Sequence, residues 1–299
     1  MSESKDPQDP ANSSGAASPG SKALQPLVGI VRRFFAGNAS AAPSQPAGPT
    51  DEELLTRWNS TEVDHRRVEW FTPTGSEPIN GVVLFLHGHG GVMLSKNSVF
   101  TRLFETHRLA AVCPDGKRSW WLDFVCPEFD AEVTPQRWLL DSIVPWIEQQ
   151  FQIQPPGIAL LGVSMGGQGV LQLAYRHAMK FPVVAAIAPA VDFHQLYGSG
   201  IPLDQIFPDT ETARQATVVL NLHPLSWPRF QFFCCDPQDH EWFDGAARLG
   251  MKLSSSGILH ERDLDTTAGG HTWDYFNHMA PRCLAHIAGS LKKLADEAG

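Results

Sequence analysis

The sequence predicts an α/β fold, a mostly parallel central sheet with helices on both faces, and three observations predict it. Strand-length apolar runs stand at Gly81–Leu86, Ile158–Val163 and Val183–Ile187. Stretches with apolar residues at helical spacing alternate with these runs. Pro, Gly and Asp punctuate the junctions, as in Pro114-Asp115-Gly116. Strands alternating with helices favour parallel pairing, and parallel strands need cover on both faces.

The elements follow in order. Residues 1–50 are rich in Ser, Ala, Pro and Gly and are expected to form a disordered leader. Its apolar island, residues 24–35, places Leu27, Val28, Ile30, Val31, Phe34 and Phe35 beside Arg32 and Arg33. It reads as a short piece docking on the protein's own body, with a surface-binding amphipathic helix as the alternative. Residues 51–299 are expected to be one catalytic domain. Strands are expected at 65–72 and Gly81–Leu86, with Pro73, Gly75 and Pro78 between them. A helix at 95–108 precedes an apolar run at 109–113. Thr134 and Pro135 open a helix carrying Leu139, Leu140, Ile143, Val144, Trp146, Ile147 and Phe151 on its apolar side. After the strand Ile158–Val163 come a helix at 165–180 and the strand Val183–Ile187; residues 190–228 read as irregular. A strand at 230–235, a helix at 241–255 and a strand at 258–264 complete the alternation. The last segment, Trp273–Ala298, reads as helical with a break near Pro281.

Bulk properties narrow the function. With 42% hydrophobic and 18% charged residues over 299 positions, the chain has ample material for a buried core. A formal net charge of −9 repels a phosphate backbone and argues against nucleic acid as a partner. The five cysteines, Cys113, Cys126, Cys234, Cys235 and Cys283, fit no metal spacing and read as reduced, mostly buried small residues. Adjacent Cys234 and Cys235 would point to opposite faces of a strand. No run of about 18 apolar residues suggests a membrane span, and residues 1–20 lack an apolar signal core, so the cytoplasm is the expected compartment. Nothing in the chain signals its oligomeric state.

The chemistry centres on Gly162-Val163-Ser164-Met165-Gly166. A G-x-S-x-G pattern between an apolar strand and a helix describes a sharp turn that exposes a serine, with glycines where side chains would clash. Acyl transfer also needs donors for a developing oxyanion. The Met165 amide, at a helix N-terminus, supplies one. The loop Leu86-His87-Gly88-His89-Gly90-Gly91 supplies the other, with His89 preferred and Gly90 as its neighbour. The His87–His89 pair lacks a third ligand for a catalytic metal, so these imidazoles are expected to hydrogen-bond within the loop. The general base must be a histidine oriented by a carboxylate. His271, on a Gly269-Gly270 turn after the last strand, fits; His260, His278 and His286 read as packing or surface residues. Asp239 is the preferred acid and Asp236 its rival, since both follow the 230–235 strand. Asp263 and Asp265 read as outward-facing strand carboxylates. Trp120, Trp121, Phe193 and Trp227 are candidate pocket aromatics.

Together, Leu86-His87-Gly88, Pro114-Asp115, the Ser164 elbow with Gly167, Asp239 and Gly269-Gly270-His271-Thr272-Trp273 resemble the esterase D and S-formylglutathione hydrolase group of the α/β-hydrolase superfamily. That group includes feruloyl-esterase-like enzymes and the antigen 85 acyltransferases. The resemblance spans residues 80–280 and implies an α/β-hydrolase fold with Ser164 as nucleophile, Asp239 as acid and His271 as base. It also implies an oxyanion hole from the His89 and Met165 amides. Ser119-Trp120-Trp121-Leu122-Asp123 is similar to the group's aromatic loop, implying substrate contact by Trp120 and Trp121. The chain departs from the group at Asp236, where Gly is frequent, and at Gly90-Gly91-Val92 after His89. The expected function is hydrolysis of a small-molecule carboxylic ester with no cofactor and no metal. Acyl transfer to an alcohol through the same triad is the alternative, and a non-catalytic binding module a further one.

Overall fold

The computed structural model describes residues 48–298. The leader expected at 1–50, with its 24–35 island, lies outside the described residues apart from residues 48–50. Thr50 opens the first helix, α1 (Asp51–Leu55), with a reciprocal cap: its side chain accepts from the Glu53 amide, and Glu53 accepts from the Thr50 amide.

Eight strands follow: β1 (Trp58–Val63), β2 (Arg66–Phe71), β3 (Gly81–Leu86), β4 (Leu109–Pro114), β5 (Ile158–Val163), β6 (Val183–Ile187), β7 (Phe230–Cys234) and β8 (Glu261–Asp263). They make one sheet in the order β1-β2-β4-β3-β5-β6-β7-β8. Pairing is parallel from β4 through β8, and antiparallel between β2 and β4 and between β1 and β2. Every residue of β3, β4, β5 and β6 is buried. Side chains alternate between the faces of a strand, so strands buried at every position require cover on both sides. The helices that supply it include α2 (Ser98–His107), α3 (Pro135–Trp138), α4 (Val144–Phe151) and α5 (Met165–Arg176). Short helices α6 (Leu203–Ile206) and α7 (Thr210–Gln215) lead to α8 (Phe243–Ser255) and α9 (Trp273–Ala298). Helix α5 packs on β3, β5 and β6; α9 packs on β5, β6 and β7 and against α2.

The connectivity makes a site before any side chain is considered. From β3 the chain steps to β4, then returns across β3 to β5 and continues outward through β6, β7 and β8. Connections after β3 and β5 therefore leave in opposite directions and open a crevice at the carboxyl ends of these strands.

Several local expectations change. Strand β1 was not anticipated: it is a half-exposed edge strand of mixed polarity, and its hairpin turns at Asp64 and His65. Both residues adopt left-handed backbone (φ 50° and 63°), without the Asn-Gly signal that marks such turns in sequence. The 134–151 segment keeps its Thr134 cap and Pro135 start, but Leu139–Ile143 wind as a π-helix between α3 and α4. Helix α5 stops at Arg176 rather than 180, and the 258–264 strand contracts to β8 because the Ile258 amide bonds back to the Leu253 carbonyl of α8. No break occurs at Pro281: α9 runs through it. One lost backbone bond is outweighed by burial of Ala280, Cys283, Leu284 and Ile287 along the helix.

All five cysteines are free and buried. Cys234 and Cys235 are both inside because β7 ends within a sheet covered on both sides. Asp263 does not face outward; it is buried, accepts from the Asp265 and Thr266 amides and the Thr266 hydroxyl, and pairs with Arg282. His260 stacks on Phe233 and His286 packs on Phe232, as packing residues. Among the described residues, no helix is long and apolar enough to cross a membrane.

Candidate active site

Ser164 stands between the end of β5 and the start of α5, with φ 56° and ψ −121°. For a residue with a Cβ this conformation costs on the order of 1–3 kcal/mol, so the surroundings must impose it. They do. The Ser164 amide donates to the Ile187 carbonyl at 2.9 Å, and its carbonyl accepts from the Gln168 and Ala190 amides at 3.1 Å each. The flanking glycines are steric necessities: a Cβ on Gly162 would overlap the Gly166 carbonyl, and one on Gly166 would overlap the Leu86 carbonyl. That second contact draws the β3 loop against the elbow. An added Cβ on Gly88 would lie only 3.3 Å from Ser164 Cβ.

The structure brings Ser164, His271 and Asp239 together. His271 Nε2 lies 2.9 Å from Ser164 Oγ, and His271 Nδ1 lies 2.7 Å from Asp239 Oδ2. Asp239 is 1% exposed. Its Oδ1 accepts from the Trp242 and Glu241 amides at 3.1 and 3.3 Å, and Oδ2 also accepts from the Cys235 thiol at 3.5 Å. A buried carboxylate on Nδ1 makes that nitrogen the donor, which leaves Nε2 with a lone pair facing the Ser164 hydroxyl. Asp236 does not touch His271's ring; its oxygens accept from the Gln238, Ala268 and Gly270 amides. Between the two acids considered, only Asp239 reaches the imidazole.

Gly88, His89 and Gly90 line the cavity that holds Ser164 and His271. Neither the His89 nor the Met165 amide has an acceptor among the described residues. The two loop imidazoles behave differently. His87 is fully buried, donates from Nδ1 to the Gly88 carbonyl at 2.8 Å and accepts at Nε2 from the Gly116 amide at 3.1 Å. Burial pushes this ring below its usual histidine range, which keeps it neutral and able to accept. His89 makes no such bond: its Nε2 is buried without a partner, and its ring lies 5.8 Å from that of Trp120.

The cavity measures about 390 Å³ and is walled by Trp120, Trp242, Trp273, Phe276, Leu196 and Ile201 among others. Trp120 thus reaches the cavity. Trp121 does not, and its expected role as a substrate contact is corrected. Its indole is fully buried, donates to the His87 carbonyl at 3.0 Å and fills the space over Gly116 and Gly169. Trp120 and Trp121 both have left-handed backbone (φ 59° and 53°). Their carbonyls are held by the buried side-chain amides of Gln168 and Gln136, respectively. Phe193 stands behind Trp120 rather than in the cavity, with ring centroids 5.6 Å apart, and Trp227 packs against the core. Sequence reasoning missed Trp242, Trp273 and Phe276 as cavity walls. Proximity in the chain was the available signal, since Trp242 follows Asp239 by three residues and Trp273 follows His271 by two.

Comparison with known proteins agrees with the geometry. Residues 80–258 match the model of the Esterase family, described as "Putative esterase". The sequence has no match among curated proteins. Among solved structures, the chain is similar to an S-formylglutathione hydrolase from Agrobacterium tumefaciens, with 17% identity, TM-score 0.64, and 78% of this chain and 94% of that one covered. It is also similar to the fluorophosphonate-binding serine hydrolase F of Staphylococcus aureus (14%, TM-score 0.62, covering 77% and 97%). A third is the ferulic acid esterase of Anaeromyces mucronatus (20%, TM-score 0.55, covering 78% and 90%). These likenesses establish the α/β-hydrolase fold.

Proposed function

Since the chain belongs to the Esterase family, we propose that it hydrolyses carboxylic esters through an acyl-enzyme on Ser164, with His271 as base and Asp239 as the acid that orients it. One observation carries this reading: the unbroken chain from Ser164 Oγ to His271 Nε2 (2.9 Å) and from His271 Nδ1 to Asp239 Oδ2 (2.7 Å), set in the crevice at the sheet's switch point.

His271 takes the hydroxyl proton at Nε2 as Ser164 Oγ attacks the ester carbonyl. The proton held on Nδ1 stays with the ring, and Asp239 stabilises the imidazolium without being protonated. The amides of His89 and Met165 receive the oxyanion of the tetrahedral intermediate. His89 belongs to the loop after β3, and Met165 is the first residue of α5, where the helix dipole favours negative charge. Collapse expels the alcohol with the proton from His271. Water then attacks the acyl carbonyl as it gives a proton to His271, and collapse breaks the bond to Ser164 Oγ, which takes that proton back from His271 as the carboxylic acid leaves. Trp120, Trp242, Trp273 and Phe276 give the cavity an apolar wall for the organic part of the substrate.

A fluorophosphonate probe tests the nucleophile directly. It is expected to label wild-type protein on Ser164 and to leave Ser164→Ala unlabelled. Absence of labelling in folded wild type overturns the reading. Short p-nitrophenyl esters compared with feruloyl and acetyl-sugar esters locate the preferred acyl group. Product analysis with added alcohols distinguishes water from an alcohol as acceptor, because the acyl-enzyme is common to both.

A further inference from the structure

We propose that Asp236 is a positioning residue for the base: a buried carboxylate that grips the main chain of the His271 turn so that the imidazole meets Ser164. The proposal rests on reading Ser164, His271 and Asp239 as a hydrolytic triad.

Asp236 is fully buried at the end of β7. Its Oδ1 accepts from the Gln238 amide at 2.7 Å, while Oδ2 accepts from the Ala268 amide at 2.7 Å and the Gly270 amide at 2.9 Å. A residue that merely opened the Pro237 turn would need only the first of these bonds. The other two cross to a loop 32 and 34 residues away. Among the described residues, Asp236 is the only acceptor for the amides of residues 267–270. Asp263 holds the start of this loop at Asp265 and Thr266, and Asp236 holds the part next to the base.

The backbone there is shaped to be gripped. Gly269 and Gly270 have φ of 100° and 69°, and a Cβ on Gly270 would come within 3.1 Å of the Gln238 carbonyl. The β7–α8 and β8–α9 loops thus meet without intervening side chains. Two carboxylates three residues apart divide the work: Asp236 fixes the main chain up to Gly270, and Asp239 fixes the ring of the next residue, His271. Burial alone would favour a protonated Asp236, but the amides of Ala268, Gln238 and Gly270 outweigh it and hold the carboxyl below its usual range. Both crossing bonds fall on Oδ2, so an Asn keeps them by turning its NH₂ toward Gln238, whereas Ala removes all three acceptors at once.

The experiment has two arms. Native-state hydrogen exchange on the wild-type protein is expected to show the Ala268 and Gly270 amides protected and the Gly269 amide fast. In Asp236→Ala, which removes the grip, kcat for a p-nitrophenyl ester is expected to fall about 100-fold, a loss in line with a base displaced by about 1 Å. KM is expected to stay within about threefold, because the cavity walls are untouched. Fluorophosphonate labelling of Ser164 is expected to slow in parallel. Exchange of Ala268 and Gly270 as fast as Gly269 overturns the proposal, as does wild-type kcat in folded Asp236→Ala or a change confined to KM. If the variant does not fold, exchange on the wild type still decides. If the wild type neither hydrolyses esters nor takes the probe, the triad reading falls while amide protection still reports on the grip.

Discussion

The serine elbow and the acid–base rim sit on the same edge of the sheet but are made in different ways. The elbow is local. Gly162, Ser164 and Gly166 lie within five residues, and its geometry follows from one strained dihedral pair and two glycines that admit no Cβ. The rim joins residues 32 apart, Asp239 and His271, by side-chain bonds between two loops. A sterically imposed turn fails abruptly when crowded. A hydrogen-bonded assembly keeps its fold when a member is removed but loses the alignment that its members share.

Mutations that attack the two regions separately sharpen this contrast. Ser164→Ala is expected to lower kcat by about 10⁶-fold, and adding His271→Ala to it should cost little more, because the residues act as a unit. Full additivity of the two losses would show that they do not cooperate. Asp239→Asn is expected to lose about 10⁴-fold, since the base remains but its tautomer and orientation are no longer enforced. Steady-state kinetics on a p-nitrophenyl ester resolves all three. At the elbow, Gly166→Ala drives a Cβ into the Leu86 carbonyl and is expected to destabilise the fold by about 3 kcal/mol or more. Urea melts that match wild type would mean that β3 and the elbow are less tightly apposed than described.

A smaller effect comes from the loop beside the elbow. His87 has its pKa lowered from 6.5 by burial, so the folded state binds its proton less readily than the unfolded chain. Stability from the neutral ring is present above about pH 6.5 and is lost as pH falls from there. The melting temperature is expected to decline from pH 7 to pH 5, with a shallower decline in His87→Gln. Equal slopes for the two proteins would separate His87 from the acid sensitivity.

Legibility followed locality. The elbow was readable because its steric requirements are met by neighbours in sequence, and β3, β5 and β6 were readable to the residue because burial on both faces leaves an unbroken apolar run. The edge strand β1 was not, since half-exposed pairing leaves no such pattern. Trp120 and Trp121 illustrate the limit well. As adjacent, identical residues they carry the same signal, yet one walls the cavity and the other braces the His87 carbonyl. Which ring goes where depends on two left-handed backbone residues and two glutamine side chains from α3 and α5.

The sequence by itself determined the α/β class and singled out Ser164 and His271, because periodicity and glycine spacing are local consequences of backbone geometry. Tertiary structure alone set Asp239 rather than Asp236 against the His271 ring, kept Trp121 out of the cavity and brought Trp242, Trp273 and Phe276 into it. Those choices turn on distances between loops far apart in the chain, and such distances exist only after the sheet has set the loops side by side.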